Sequence, residues 1–326
     1  MSETINDAVA EPVIVKETKP PLESRLGRDA PFSFGQRFLT EEEKVFEHNA
    51  WDNVEWDDEQ FQQFQESINK QKENPVAEIQ KNEFNSKPKK YWDLFYKNNR
   101  ENFFKDRKWL EIEFPDIFKY TKADAGERTI LEIGCGAGNT MYPILSRNEN
   151  PKLRMFGCDY SDVAVELVRG NDNFPELHAS GNAFSSVWDL ANPEGRIPED
   201  KEENSVDIAV MIFIFSALNP NQWKQAISNL KKVLKPGGII LFRDYGRYDL
   251  AQIRFKKNRL LDDNFYVRGD GTRVYFFTEE ELREIFITEG GFIEDKIGTD
   301  KRLLVNRKKQ LKMYRCWLQA VFRVPE

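Results

Sequence analysis

A run of alternate glycines and four acidic residues carry the chemistry that this sequence can do. Glu132, Gly134, Gly136 and Gly138 fall in Thr129-Ile-Leu-Glu-Ile-Gly-Cys-Gly-Ala-Gly-Asn139, where an apolar, β-branched run is broken by glycines and followed by a helical pattern. Such a stretch reads as strand, tight turn and helix. Glycine lets the backbone come close to a ligand, and the helix start offers unpaired N–H groups. A dinucleotide fingerprint, G-x-G-x-x-G, would put its third glycine at 139, where this chain has asparagine. The pattern here is E-x-G-x-G-x-G. Asp159 ends the next apolar run, placed to accept both hydroxyls of a nucleoside ribose. Asp189, in Trp188-Asp-Leu190, follows a third strand expected at 176–183 and can accept from an adenine amino group. Together, loop and acids point to an adenosine-bearing ligand.

The elements that must position these groups follow from periodicity. From 127 onward strand and helix alternate, the signature of a doubly wound parallel sheet. Strands are expected at 129–133, 154–159, 176–183, 206–215 and 239–243, with two more near 292–297 and 313–323, making about seven. The run 206–215 is apolar but for Asp207, as a strand buried on both faces requires. Helices are expected from the glycines to about 147, at 163–169 behind Ser161, at 221–235 before Pro236-Gly237-Gly238, and behind a Thr278/Glu281 capping box. Asp244 then falls at the carboxyl edge of the sheet, either touching substrate or making a structural hydrogen bond at a strand end. Ahead of the sheet, residues 1–30 are expected to be a disordered acidic tail and 31–126 a helical extension. The extension should start a helix at 41 behind Thr40 and Glu43 and carry an aromatic helical stretch over 91–110. Trp92 and Tyr96 share a face there. They either pack on the core or close over the ligand.

Composition sets limits. At 326 residues, 40% hydrophobic and 32% charged, the chain can bury one large core plus an extension. It has no apolar run long enough for a membrane span. The N-terminus has neither an apolar signal core nor an Arg-rich start, so the cytoplasm is the default location, with the nucleus left open. Cys135, Cys158, Cys316, His48 and His178 do not show metal-site spacing, so no metal is expected. The net charge of −7 is unevenly spread. Acids crowd residues 1–66, whereas 301–325 hold eight Lys/Arg and no acid, and 87–108 hold eight against three. A basic insertion is expected over 247–273. Local basic surface is what phosphate contact needs, so an acidic pI of about 5.3 leaves an RNA partner open; solvated charged faces are the alternative.

Specific motifs resemble the tRNA 3-methylcytidine methyltransferases, a family with the class I S-adenosylmethionine (SAM) dependent fold: α/β, Rossmann-like, with a seven-stranded doubly wound sheet. They are Trp92-Asp-Leu-Phe-Tyr96, Asn102-Phe-Phe-Lys-Asp-Arg107, Leu131-Glu-Ile-Gly-Cys-Gly-Ala-Gly-Asn139, Cys158-Asp-Tyr-Ser161, Leu241-Phe-Arg-Asp-Tyr-Gly-Arg-Tyr-Asp249 and the stretch Asn264–Phe277. Segments 46–56 and 305–315 resemble the branch that acts on threonine tRNAs. The resemblance implies SAM as cofactor and 3-methylcytidine at position 32 of the anticodon loop as product. It carries cofactor contacts over to Trp92, Tyr96, Gly134, Asp159, Asp189, Leu190 and Ile212, beside Gly136 of the loop. Substrate contacts are expected at Arg107, Arg247, Arg254, Lys256, Arg268, Arg273, Arg307 and Lys308, with Asp244 as the candidate catalytic group. The implied partner is the tRNA anticodon stem-loop; an accessory protein is left open. The residues agree with N3 chemistry: cytosine N3 has a free lone pair, so transfer needs alignment and desolvation more than a base. A methyltransferase of a small molecule or protein, and an inactive SAM-binding scaffold, are the rival readings.

Overall fold

The computed structural model describes residues 37–199 and 201–326, so the tail expected at 1–30 lies outside the described residues. In chain order the strands are β1 (Ala50–Asp52), β2 (Arg128–Ile133), β3 (Leu153–Asp159), β4 (Ala183–Val187), β5 (Val206–Ile212), β6 (Leu234–Tyr245), β7 (Leu260–Asp262), β8 (Phe265–Val267), β9 (Arg273–Tyr275), β10 (Ile293–Asn306) and β11 (Leu311–Arg323). Eight of them form one sheet in the order β1-β10-β11-β6-β5-β2-β3-β4, and β7-β8-β9 form a small sheet of their own. The pairings from β6 to β4 are parallel, while β11 runs antiparallel to β6 and β10. Chain order reverses at β2, which pairs with both β3 and β5. A crevice at the carboxyl ends of these strands is where such sheets bind ligands.

Burial explains the central strands. Neighbouring residues of β2 point to opposite faces, so Leu131 joins one buried cluster with Met211 and Phe242, and Ile130 joins another with Met155, Ile208 and Val210. Both faces are covered, which is why these strands are apolar without alternation.

The sheet has the seven strands expected, one of them displaced along the chain, and the extension adds an eighth. β1 lies antiparallel on β10, with Trp51 opposite Leu303. The extension is also tied to the sheet by charge. Fully buried Asp300 on β10 accepts from Arg243 at 2.6 Å and Arg302 at 2.8 Å, and Arg302 reaches Glu113 at 3.3 Å.

Other boundaries differ for local reasons. The third strand lies at 183–187, not 176–183; Phe174–Ala179 is a helix, with Pro175 in its first turn where the missing N–H costs nothing. The Thr40/Glu43 box does not form: a 3₁₀ turn, Glu42–Glu47, starts after Glu41 without a side-chain cap. In the 91–110 stretch, helix α3 (Pro88–Asn99) stops at Arg100, whose φ of 48° leaves the helical region, and Phe103 and Phe104 fold back on Phe95. The helix Trp223–Val233 ends earlier than expected, and β6 already starts at Leu234, running through Pro236-Gly237-Gly238 with a register slip against β5 between Val206 and Ile208. The Thr278/Glu281 capping box is present as expected.

Candidate active site

A pocket opens at the carboxyl ends of β2, β3, β4 and β5. Its walls include Trp92 and Tyr96 from α3, Gly134 after β2, Asp159 and Tyr160 at the end of β3, and Asp189 and Leu190 after β4. Phe213, Ile214, Ala217 and Leu218, beyond β5, line another side, and Arg273 reaches in from β9. Tyr96 is buried and Trp92 half-buried, their rings stacked with centroids 6.0 Å apart. The same face of α3 packs on the helix Asp162–Arg169 through Phe95 and Ala164, so the aromatic pair serves core and pocket at once.

The glycine loop is shaped by what surrounds it. Gly134 and Gly136 have φ of 69° and 54°, left-handed values that favour glycine. A Cβ on Gly134 would lie 2.4 Å from Ile214 Cγ1, and one on Gly136 would lie 2.9 Å from the Tyr96 hydroxyl. Backbone and pocket wall are thus in direct contact.

Asp159 is 7% exposed and accepts the backbone N–H of Gly136 at 2.9 Å on Oδ2 and that of Ser161 at 2.9 Å on Oδ1. Burial pushes its carboxyl up to about 6 despite these donors. A carboxylate has about four acceptor positions, so lone pairs remain for a diol in the pocket. Asp189 accepts the N–H of Ala191 at 2.9 Å, and burial raises its pKa as well. This pair of acceptors fits adenosine: a buried one for the ribose at the end of β3 and a second for the base after β4.

Beneath the glycine loop sits an ion pair. Glu132, at the end of β2, lies 3.6 Å from Arg107, which also donates to Thr140 Oγ1. Burial pushes Glu132 up to about 7, against the pull of the Arg107 guanidinium, and its Oε2 has no hydrogen-bond partner among the described residues. Arg107, half-buried with its side chain 14% exposed, is therefore a brace for the loop engaged with Glu132 and Thr140, not a free contact for RNA as expected.

Several further residues sit elsewhere than the sequence implied. Asp244 is fully buried and outside the pocket lining; Oδ2 accepts the N–H of Ser216 at 2.9 Å and Oδ1 that of Tyr245 at 2.8 Å. It supports the turn Phe215–Ala217 from behind, because burial next to backbone donors suits a structural acceptor. Ile212 ends β5 one residue short of the lining, and Gly136 acts through Asp159. Arg247 is held by Glu281 at 2.7 Å and by the Phe276 carbonyl at 3.1 Å. Arg268 donates to the Arg273 carbonyl at 3.2 Å and lies over the Tyr245 ring. Arg307 donates to the Glu47 carbonyl at 3.2 Å, while Lys308 is exposed beside it. Arg254 and Lys256 are exposed.

Of the basic residues expected at the substrate, Arg273 is the one that lines the pocket. It is 3% exposed; among the described residues its guanidinium donates to the Asn85 side chain at 3.0 Å and the Ala217 carbonyl at 3.3 Å and lies over the Phe265 ring, and burial lowers its pKa to about 10. A buried cation without a carboxylate is costly, which makes it a charged wall for whatever enters the pocket. Tyr160, Phe213 and Gln222 were missed. Tyr160, next to Asp159, and Phe213, near the end of the 206–215 apolar run, had a sequence signal; Gln222 had none.

Residues 131–240 match the family described as a methyltransferase domain. The chain is 64% identical over 303 residues to the tRNA(Thr) (cytosine(32)-N(3))-methyltransferase of Saccharomyces cerevisiae, covering 93% of this chain and 48% of that one. It therefore spans about half the length of that relative. It is 53% identical to the tRNA N(3)-methylcytidine methyltransferase of Schizosaccharomyces pombe, covering 91% of this chain and 94% of that one. With the corresponding enzyme of Drosophila melanogaster it shares 46% identity, over 91% and 90% of the two chains.

Proposed function

The chain belongs to the tRNA N(3)-methylcytidine methyltransferase family, and on that premise we propose that it methylates N3 of cytidine 32 in the anticodon loop of threonine tRNA. When bound, S-adenosylmethionine supplies a methyl group on a sulfonium centre. The observation that carries the reading is Asp159, a buried acceptor fixed by Gly136 and Ser161 in the wall of a pocket at the point where strand order reverses.

From there the work of each residue follows. Asp159 offers its free lone pairs to the ribose hydroxyls, and Asp189 offers a second acceptor to the base. Trp92 and Tyr96 exclude water from the side of α3. N3 of neutral cytosine has no proton to lose, so the pocket needs no general base. Alignment and desolvation suffice. Asp244 acts as a positioning residue, because it holds the Phe215–Ala217 turn that leads into Ala217 and Leu218 of the wall. A base in an anticodon loop is already unpaired, so turning it into the pocket costs only a few kcal/mol of unstacking.

Incubating unmodified threonine tRNA with the protein and SAM, then digesting to nucleosides for mass spectrometry, should yield 3-methylcytidine that maps to position 32. A product of 5-methylcytidine or N4-methylcytidine, or no product, would overturn the reading.

A further inference from the structure

Accepting the tRNA reading, we propose that the phosphodiester backbone of the RNA docks in the groove between helix α2 (Glu78–Ser86) and the loop 254–259. The cations of the β10–β11 hairpin are then not the main footprint. The groove is lined by Arg254, Lys256, Lys257 and Arg259, with Phe84 and Phe255 beneath them and no acidic residue in the lining. The first three cations are exposed, and none of the four has an ion pair among the described residues. The acids of the neighbouring segment are already engaged: Asp262 faces Lys81 at 3.6 Å and Asp263 faces Lys72 at 2.9 Å. Uncompensated positive charge around a concavity is what a polyanion recognises.

The hairpin offers less, despite its greater count of basic residues. Lys301 pairs with Glu55, Arg302 with Asp300, Lys312 with Glu42, Arg315 with Asp249 and Arg323 with Asp295. Those charges are spent within the chain, and a phosphate would have to displace an existing partner. At the hairpin tip, Arg307, Lys308 and Lys309 are without an ion pair among the described residues, and Arg307 is held by the Glu47 carbonyl.

The groove is also preorganised. Gln71, buried on α1 (Asp58–Lys72), donates to the carbonyls of Gln252 at 2.9 Å and Phe255 at 3.0 Å and accepts from the Tyr266 hydroxyl at 2.8 Å. Asn258 donates its N–H to the Asn74 carbonyl at 2.8 Å. The loop backbone therefore does not need to be ordered by the ligand. Finally, the groove adjoins the pocket: Phe84 of α2 lines one, and the next residue, Asn85, holds Arg273 in the wall of the other. A strand lying in the groove has a short path for one nucleotide to reach the methyl donor.

The test compares two triple variants of the full chain: Arg254→Gln/Lys256→Gln/Lys257→Gln, and Arg307→Gln/Lys308→Gln/Lys309→Gln. Binding of unmodified threonine tRNA is measured over a salt series, with S-adenosylhomocysteine affinity as the control for folding. The groove variant should lose at least tenfold in tRNA affinity at low salt, and its log K against log salt slope should fall by about 2–3. The hairpin variant should lose less, and both should keep wild-type S-adenosylhomocysteine affinity. If the groove variant binds tRNA as the wild type does, the docking site is wrong and the groove is left to another acidic partner. A larger loss in the hairpin variant also overturns the proposal. If the wild type itself shows no salt-dependent tRNA binding, the functional reading fails along with it, so the two failures are told apart.

Discussion

Asp244 accepts the backbone N–H of Ser216 at 2.9 Å, which joins the end of β6 to the turn behind the pocket wall. Asp244→Ala should strand this buried donor and that of Tyr245, each at a cost of about 1–3 kcal/mol. The expected outcome is a lower melting temperature, with turnover and cofactor affinity falling together. Lost turnover with cofactor affinity and melting temperature intact would instead place Asp244 on the base.

Asp159→Ala removes an acceptor that also fixes Gly136. Charge-assisted hydrogen bonds contribute about 1.5–3 kcal/mol each, so SAM affinity should drop by two or more orders of magnitude. Calorimetry reads this directly, and wild-type affinity in a folded variant would mean that the ribose lies elsewhere.

The two pocket glycines should not respond alike. Gly134→Ala puts a Cβ within 2.4 Å of Ile214 Cγ1, at the branched root of a side chain in the wall, whereas Gly136→Ala meets the terminal hydroxyl of Tyr96 at 2.9 Å. Both also carry the strain of a left-handed backbone. Gly134→Ala should therefore cost more in thermal stability, and both should weaken cofactor binding. A larger loss at Gly136 would contradict the packing.

Glu132 gives a pH test. Its carboxyl is raised from 4.5 in the unfolded chain to about 7 in the fold, chiefly by burial. The fold holds a proton that the unfolded chain releases, so this group favours folding below about pH 4.5, and its contribution is lost as pH rises through about 7. Glu132→Gln has no such titration. Between pH 4.5 and 7 the variant should gain on the wild type by up to about 3 kcal/mol, at ~1.4 kcal/mol per pKa unit. Denaturant midpoints measured across that window should converge or cross; a constant difference would show that Glu132 does not titrate there.

Much of this architecture could be read from the sequence, because the central strands obey one strong rule. The runs 129–133 and 206–212 are mostly apolar, and the glycines and Asp159 and Asp189 follow such runs at the strand ends. Asp159 and Asp189 line the pocket for that reason, whereas Trp92 follows from the motif it shares with the family. What escaped depended on contacts distant in sequence. Nothing near Arg247 says that Glu281 holds it, and nothing near Arg107 says that it pairs with Glu132. A basic residue reads the same whether it faces phosphate or an internal carboxylate. Phe174–Ala179 escaped for another reason: its mixed apolar and polar residues give no clear period, and packing decides between helix and strand.

The three residues of β1 also guard a boundary. By pairing with Arg302, Leu303 and Leu304 they close the outer edge of the sheet, where β10 would otherwise present free N–H and C=O groups beside buried Leu303 and Val305. A version of the protein trimmed to start after Asp52, a natural choice for isolating the catalytic half, would bare a sticky strand. Its first symptom would be self-association at high concentration, seen before any loss in the methyl-transfer pocket on the far side of the sheet.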